Sequence, residues 1–183
     1  MTKTNQQYDE IKKICQDIFT KKMKDYGTAW RILRPSSLTD QIYIKAQRIR
    51  SLQSKGTQKI LEGITPEFIG IVNYAIIGLI QLELGVVDQP ELAPDKAEAK
   101  WVEYFEKARS LMHDKNHDYS EAWREMRVSS LADIILMKLL RIKQIEDNEG
   151  KTFVSEGIDA NYYDIINYAV FALIKLELEG QKG

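Results

Sequence analysis

Hydrophobic side chains recur along most of the chain at the spacing of an α-helix. In the N-terminal segment they follow one another at intervals of three and four residues, through Tyr8, Ile11, Cys15 and Phe19. That spacing places them on one face, which predicts an amphipathic helix. No segment alternates apolar and polar residues over the length of a strand. We therefore expect an all-α protein without a substantial sheet.

The chain contains an internal duplication. Residues 22–49 and 115–142 are identical at 15 of 28 positions, at an offset of 93 residues. Residues 62–85 and 156–179 are identical at 12 of 24 positions, at an offset of 94 residues. The offset changes by one between the two blocks, where a loop tolerates an insertion. Polar residues that occur in both copies are therefore candidates for shared structure or shared chemistry.

Each copy is predicted to form three helices. The first helix ends at a glycine stop, Gly27, a residue type that favours helix C-termini. The second begins near Ser37, an N-cap with Asp40 in the first turn, where an acid is favourable. The third begins with Thr65 as N-cap and a proline at the first helical position, and Asp159 takes the cap in the second copy.

The duplication also predicts the domain organisation. We expect a first three-helix repeat over residues 1–87, a proline-containing linker over 88–96 and a second repeat over 97–183. Helices bury their apolar faces against other helices, so both repeats should share one core. The expected fold class is an all-α six-helix bundle with pseudo-twofold symmetry, packed as one globular domain.

The third helix of the first copy is the most apolar segment of the chain. Residues 68–84 carry only three strongly polar side chains, those of Asn73, Gln81 and Glu83. Their length is close to the roughly 18–20 residues that span a bilayer. The matching segment, residues 161–178, contains aspartate, asparagine, lysine and glutamate. We therefore expect a buried central helix and no association with a membrane.

Composition and charge exclude some classes of function. The 183 residues include 26 Lys and Arg against 27 Asp and Glu, a net charge of −1, which argues against binding nucleic acid through bulk electrostatics. At 44% hydrophobic residues, the chain can bury a core. The single cysteine, Cys15, fits a reducing compartment, and the first ten residues contain no apolar signal sequence. A cytoplasmic location is expected.

Several catalytic motifs are missing from the sequence. It contains no glycine-rich phosphate loop, no G-x-S-x-G, no paired C-x-x-C and no H-E-x-x-H. Each of these motifs supplies a specific phosphate cradle, nucleophile or zinc ligand set. Walker-type NTP hydrolysis, serine-triad hydrolysis and zinc proteolysis therefore have no support.

In the second helix of each copy, a lysine interrupts the core-facing apolar stripe. An arginine follows one turn later, and an aspartate precedes on the same side. The six residues are Asp40, Lys45, Arg48, Asp133, Lys138 and Arg141. An arginine fork beside a lysine charge suits a phosphate group. The same set also suits a structural ion pair or an ordinary salt-bridged surface, and both interpretations stay open.

The apolar third helices contain one asparagine each, Asn73 and Asn167, followed by Tyr74 and Tyr168. A buried amide must be hydrogen-bonded, at a cost of about 1–3 kcal/mol if it is not. It would either fix the register between helices or position a ligand. Asp164 lies three residues before Asn167 on the same side of the helix, whereas the first copy has a glycine there. We therefore do not expect the two copies to be equally competent as functional sites.

The Asp-Tyr-x-x-Ala-Trp segments at residues 25–30 and 118–123 are the most specific stretches of the sequence. Tyrosine and tryptophan close to a helix end usually plug a core. The same rings could instead stack on a nucleobase. Tyr119 and Trp123 are candidate binding residues in this second interpretation. Asp25 is a candidate as the first-copy counterpart of Asp118.

Four elements in order resemble the family called nucleotide modification associated domain 1, once in each copy. They are Asp-Tyr-x-x-Ala-Trp, Ser-Leu-x-Asp-x-Ile, Lys-x-x-Arg and Asn-Tyr-Ala, and they cover nearly the whole chain. The family often has an aspartate four residues before the tyrosine of the last element, as Asp164 is before Tyr168, and Gly70 departs from this pattern. The resemblance implies a link to phage-type modification of nucleotides or DNA rather than one reaction.

Glu103 and Glu106 form the E-x-x-E pair that is the candidate metal site. The spacing puts two carboxylates on one helical face, and Mg²⁺ prefers such oxygen ligands. Only the second copy has the pair, because Lys13 replaces Glu106 in the first. The layout is loosely similar to that of the all-α nucleoside-triphosphate pyrophosphohydrolases, which bind Mg²⁺ with acids on facing helices. Neither copy has their full E-x-x-E plus E-x-x-D set.

Two functions from different classes are compatible with these residues. The first is nucleotide binding linked to nucleotide or DNA modification, with a Mg²⁺-dependent phosphohydrolase-like activity as its enzymatic form. The candidate catalytic residues are Asp118, Asp133 and Asp164. The candidate ligand-binding residues are Lys138, Arg141, Asn167, Tyr168, Tyr119, Trp123, Lys45, Arg48, Asp25, Asp40, Asn73 and Tyr74.

The second function is a non-enzymatic helical interaction or scaffold module, in which the buried polar residues only specify packing. An exposed apolar face would favour it and would indicate a partner or a homodimer. For the first function, the expected partner is a nucleotide or another phosphorylated small molecule, with Mg²⁺ as the candidate cofactor.

Overall fold

The computed structural model describes residues 2–56 and 63–181. In these ranges the chain forms six α-helices and no strand. Their bounds are α1 Thr2–Tyr26, α2 Pro35–Lys55, α3 Ile64–Leu84, α4 Pro94–Tyr119, α5 Val128–Asp147 and α6 Ile158–Leu173. A short 3₁₀ helix follows the first helix of each repeat, at Ala29–Ile32 and Ala122–Glu125, and a π-helical turn, Ile174–Leu178, extends α6.

The helices form a bundle in which the two repeats pack against each other. The third helices, α3 and α6, lie against one another, and so do the second helices, α2 and α5. The first helices, α1 and α4, also touch and cover the third helices from outside. Exchanging the two repeats leaves this set of helix contacts unchanged. The predicted all-α bundle built by internal duplication is therefore confirmed.

The apolar third helices form the centre of the core. In the part of the chain that the structure describes, α3 is the one helix long and apolar enough to cross a membrane by length and composition. Its most apolar window is 61% buried inside the bundle. The core helix of a folded bundle passes the same test, because it is surrounded by other helices.

The paired asparagines cross-link the two repeats. Asn73 donates from Nδ2 to the carbonyl of Cys15 at 3.1 Å and accepts from Trp101 Nε1 at 2.9 Å. Asn167 donates to a carbonyl of α4 at 2.9 Å and accepts from the hydroxyl of Tyr8 at 3.0 Å. Each amide thus binds the first helix of its own repeat and an aromatic residue of the other. These bonds fix the register between the repeats.

The helix starts differ from the sequence-based expectation. α2 begins at Pro35 rather than after Ser37, with no side-chain cap. α3 begins at Ile64, and Thr65 is not its cap, because its hydroxyl donates to Glu177 at 2.6 Å. The third helix of the second repeat likewise begins one residue before Asp159, and its N-cap is a glycine. Capping preferences are weak compared with the packing that sets where these helices start.

Candidate functional site

A buried arginine holds the first 3₁₀ helix in place beside the third helix. Arg31 is 1% exposed. Its guanidinium donates to Gln81 Oε1, to the backbone carbonyl of Gly85, the residue after α3, at 2.6 Å, and to Glu91 at 2.8 Å. Gln81 in turn donates to the carbonyls of Arg31 and Leu33 at 2.8 and 2.7 Å. The clamp fixes the position of Trp30, the residue before this arginine.

A cavity of about 540 Å³ lies in the first repeat, between α1, α2, α3 and this 3₁₀ helix. We call it the first-repeat cavity. Its wall is mainly aromatic and aliphatic and includes Phe19, Tyr26, Trp30, Tyr74 and Ile77. Its volume and largely apolar lining are typical of small-molecule sites, which measure about 300–1,000 Å³.

Two lysines, Lys22 from α1 and Lys45 from α2, add positive charge to the wall of this cavity. Lys45 lies directly over the backbone of Gly70, where an added Cβ would stand 2.9 Å from its Cε. Its ammonium is 3.5 Å from Glu67, which a neighbouring arginine shares at the same distance, and 5.5 Å from the ring centroid of Tyr74. Charge-assisted bonds are usually about 2.7–2.9 Å long, so the amine is loosely paired.

In the second repeat, the lysines at the two matching positions are both paired with an aspartate. Asp164 accepts from Lys138 at 2.9 Å and from Lys115 at 2.5 Å. These two lysines are the counterparts of Lys45 and Lys22. Burial by itself would lower the pKa of Lys115, but the hydrogen bond and the charge of Asp164 outweigh it and raise that pKa. Asp164 therefore forms a close ion pair with both amines.

The aromatic part of the second repeat is filled as well. The ring of Phe171 stacks on Trp123, with centroids 4.2 Å apart and planes inclined by 3°. Trp123 is 5% exposed as a result. The first repeat has the smaller Ile77 in place of this phenylalanine, and Ile77 lines the cavity beside Trp30. A phenylalanine side chain thus occupies space that the first repeat leaves to its cavity.

The two core-facing lysines should respond differently to substitution. Lys138→Met is expected to lower the free energy of unfolding by about 1–2 kcal/mol, because Asp164 loses a well-buried partner and keeps only Lys115. Lys45→Met should cost less than about 0.5 kcal/mol, since it removes a loose ion pair and a distant contact with the Tyr74 ring. Urea unfolding followed by circular dichroism measures both values. Equal losses would contradict the difference between the repeats.

Asp40 and Asp133 lie at a different interface. Asp40 pairs with Lys143 at 2.9 Å, and Asp133 faces Arg50 at 3.7 Å. Both pairs join α2 to α5 and are related by the pseudo-twofold symmetry. The core-facing lysine follows each aspartate by five positions, which turns a helix by about 140°. The structure therefore does not bring these aspartates to the lysines.

The remaining predicted charged residues lie near the surface. Asp25 and Asp118 are exposed close to the ends of α1 and α4. Arg48 is 64% exposed and lies 3.5 Å from Glu67. The side chain of Tyr119 lies outside the described part of the structure.

A second, more open cleft of about 710 Å³ lies beside α5 in the second repeat. Lys138, Arg141 and Lys151 line it, together with the loop that precedes α6. Arg141 is exposed there. Lys138 and Arg141, the predicted phosphate-binding pair, thus line one cleft. The ammonium of Lys138 is bonded to Asp164.

The candidate metal ligands are each engaged by cations. Glu103 pairs with Lys100 and Lys107 at 3.2 and 3.0 Å, and these contacts lower the pKa of its carboxyl. Glu106 pairs with Lys12 at 2.8 Å. Among residues 2–56 and 63–181, no group of three or more His, Cys, Asp or Glu side chains is placed to hold a metal ion.

Sequence reasoning missed the two lysines of the first helices and the tryptophan of the first repeat. Lys22 and Lys115 are identical in the two copies, and that identity was the available signal. Trp30 was part of the specific Asp-Tyr-x-x-Ala-Trp stretch, yet only its counterpart Trp123 entered the candidate set. The role of Phe171 had no sequence signal, because it depends on which ring it stacks on.

Comparison with known proteins gives a match to a protein family. The sequence model of the family described as nucleotide modification associated domain 1 matches residues 22–82 and again residues 115–176. No curated protein and no solved structure matches the chain. The two matched segments each run from the lysine of the first helix into the third helix.

Proposed function

The chain belongs to the nucleotide modification associated domain 1 family, in two tandem copies, and from that premise we propose that it binds a nucleotide in the first-repeat cavity. The observation that carries the proposal is one cavity with both aromatic walls and lysine amines. Aromatic rings stack on nucleobases, and lysine amines bind phosphate oxygens. A nucleotide contains both of these groups.

Charge balance supports an anionic ligand at this place. Lys22 is exposed at the cavity wall, and Lys45 pairs with the shared carboxylate of Glu67 at 3.5 Å, the one ion pair it makes within residues 2–56 and 63–181. A cationic site with incomplete internal pairing favours a negative ligand over a neutral one. Among the described residues no group of three or more His, Cys, Asp or Glu side chains could hold a metal ion, so nucleotide binding is tested both with and without Mg²⁺.

A helical interaction module is the second candidate, favoured by one observation. The outer faces of α2 and α5 expose Ile44, Met137 and Leu140 at 59, 42 and 48%. Ile44 and Met137 are symmetry counterparts. Met137 and Leu140 are one turn apart on α5, and exposed apolar side chains grouped on one helix face are typical of protein interfaces. A module of this kind would not respond to nucleotides.

Thermal unfolding with added nucleotides separates the two functions. The probes are the 2′-deoxynucleoside mono-, di- and triphosphates, each with and without Mg²⁺. A ligand at 100 times its dissociation constant stabilises the native state by about 2.7 kcal/mol, which raises the midpoint of a chain of this size by roughly 5–10 °C.

Inorganic phosphate at the same concentration is the control and should give a smaller shift. Unchanged midpoints with every nucleotide at millimolar concentration would contradict nucleotide binding and favour the interaction module.

A further inference from the structure

In the second repeat, two side chains occupy the places that a ring and an anion would take in the first. We infer that Asp164 and Phe171 act as a built-in copy of the ligand, and that the first repeat binds its ligand in the same arrangement. The anionic group would lie between Lys22 and Lys45, and the planar ring would stack on Trp30. This inference rests on the proposed function and adds the pose, the ligand class and the stoichiometry.

The position of the anion follows from the lysine pairs. In the second repeat, both lysines converge on one carboxylate, with N–O distances of 2.5 and 2.9 Å. The same two positions are lysines in the first repeat, but the carboxylate position is Gly70. The amine of Lys45 lies over this glycine. An external anion at this point would make the two contacts that Asp164 makes internally.

The position of the ring follows from the tryptophans. Phe171 covers Trp123 in a parallel stack at 4.2 Å. In the first repeat, Trp30 is half-buried and lines the cavity, and Ile77 stands where the phenylalanine would be. A planar heteroaromatic ring inserted there would regain the stacking that the second repeat obtains from its own side chain.

Two consequences distinguish this arrangement from general nucleotide binding. The chain should bind one ligand, in the first repeat, because the second repeat is occupied by its own residues. The ligand should contain a ring and a phosphate together, so a nucleoside monophosphate should bind at least tenfold more tightly than the nucleoside or inorganic phosphate. Either part alone makes only half of the contacts.

Isothermal titration with the 2′-deoxynucleoside monophosphates tests the inference in the full chain. The decisive variant is Gly70→Asp combined with Ile77→Phe, which places the second-repeat residues in the first repeat. We expect one site per chain in the native protein and at least a 30-fold loss of affinity in this variant. Ser110→Asp, an added carboxylate at an exposed position of α4, is the matched control and should leave the affinity unchanged.

The outcomes separate the inference from the function beneath it. If the native chain binds no monophosphate, the inference is overturned. The thermal test with di- and triphosphates then decides whether nucleotide binding stands. If the native chain binds but shows two sites, or if the double variant binds within threefold of it, the pose is wrong while binding stands. Should the double variant not fold by circular dichroism, Gly70→Asp alone is measured, with at least a tenfold loss expected and an unchanged affinity overturning the inference.

Discussion

Replacing Arg31 by alanine is expected to lower the free energy of unfolding by about 3–5 kcal/mol. The arginine is 1% exposed, and its guanidinium joins the side chain of Gln81, the last turn of α3 and Glu91. Alanine leaves the buried Oε1 of Gln81 without this donor. It also leaves a space that the surrounding helices can fill only in part.

Urea unfolding followed by circular dichroism measures the loss, and we expect a lower midpoint with an unchanged slope. Arg34→Ala is the control, since Arg34 is exposed and makes no side-chain cap to α2. It should change stability by no more than about 0.5 kcal/mol. A loss below about 1 kcal/mol for Arg31→Ala would show that the clamp does not hold the 3₁₀ helix.

The second large effect concerns affinity. The combined change Lys22→Ala and Lys45→Ala is expected to weaken nucleotide binding at least 100-fold. Each lysine is expected to make a charge-assisted bond to the ligand, and such bonds contribute about 1.5–3 kcal/mol each. A 100-fold loss corresponds to about 2.7 kcal/mol. Stability should change little, because Lys22 is exposed and the ion pair of Lys45 with Glu67 is loose.

The matched control removes two other lysines. Lys13 and Lys24 lie on the same helix as Lys22, are exposed and do not line the first-repeat cavity. Their replacement by alanine changes the net charge by the same amount and should reduce affinity less than threefold in 150 mM salt. Equal losses in the two double variants would show that the protein attracts nucleotides by net charge alone.

The fold was predictable from the sequence because helical periodicity records burial directly. Apolar residues at intervals of three and four define the buried face. The repeated segments also show that three helices occur twice. Asn73 and Asn167 were recognisable as buried amides, and one of the two expected roles, a hydrogen bond between helices, is what the structure contains. The partners Trp101 and Tyr8 were not predictable, because they come from the opposite repeat.

The candidate site was less predictable, because it depends on which helices become neighbours. A helical wheel placed Asp40 beside Lys45, but the nearest cation of Asp40 comes from α5. The glycine at position 70 was interpreted as a missing functional carboxylate. In the structure, its absence leaves the amine of Lys45 loosely paired above the cavity. Only a three-dimensional comparison of the repeats reveals that difference.

The central claim is that the first repeat holds a nucleotide and the second repeat does not. A crystal structure of the chain grown with the tightest-binding nucleoside monophosphate tests it most directly. We predict one nucleotide per chain, with its base on Trp30 and its phosphate between Lys22 and Lys45. A nucleotide in the cleft beside Arg141 and Lys151, with the first-repeat cavity empty, would contradict the claim.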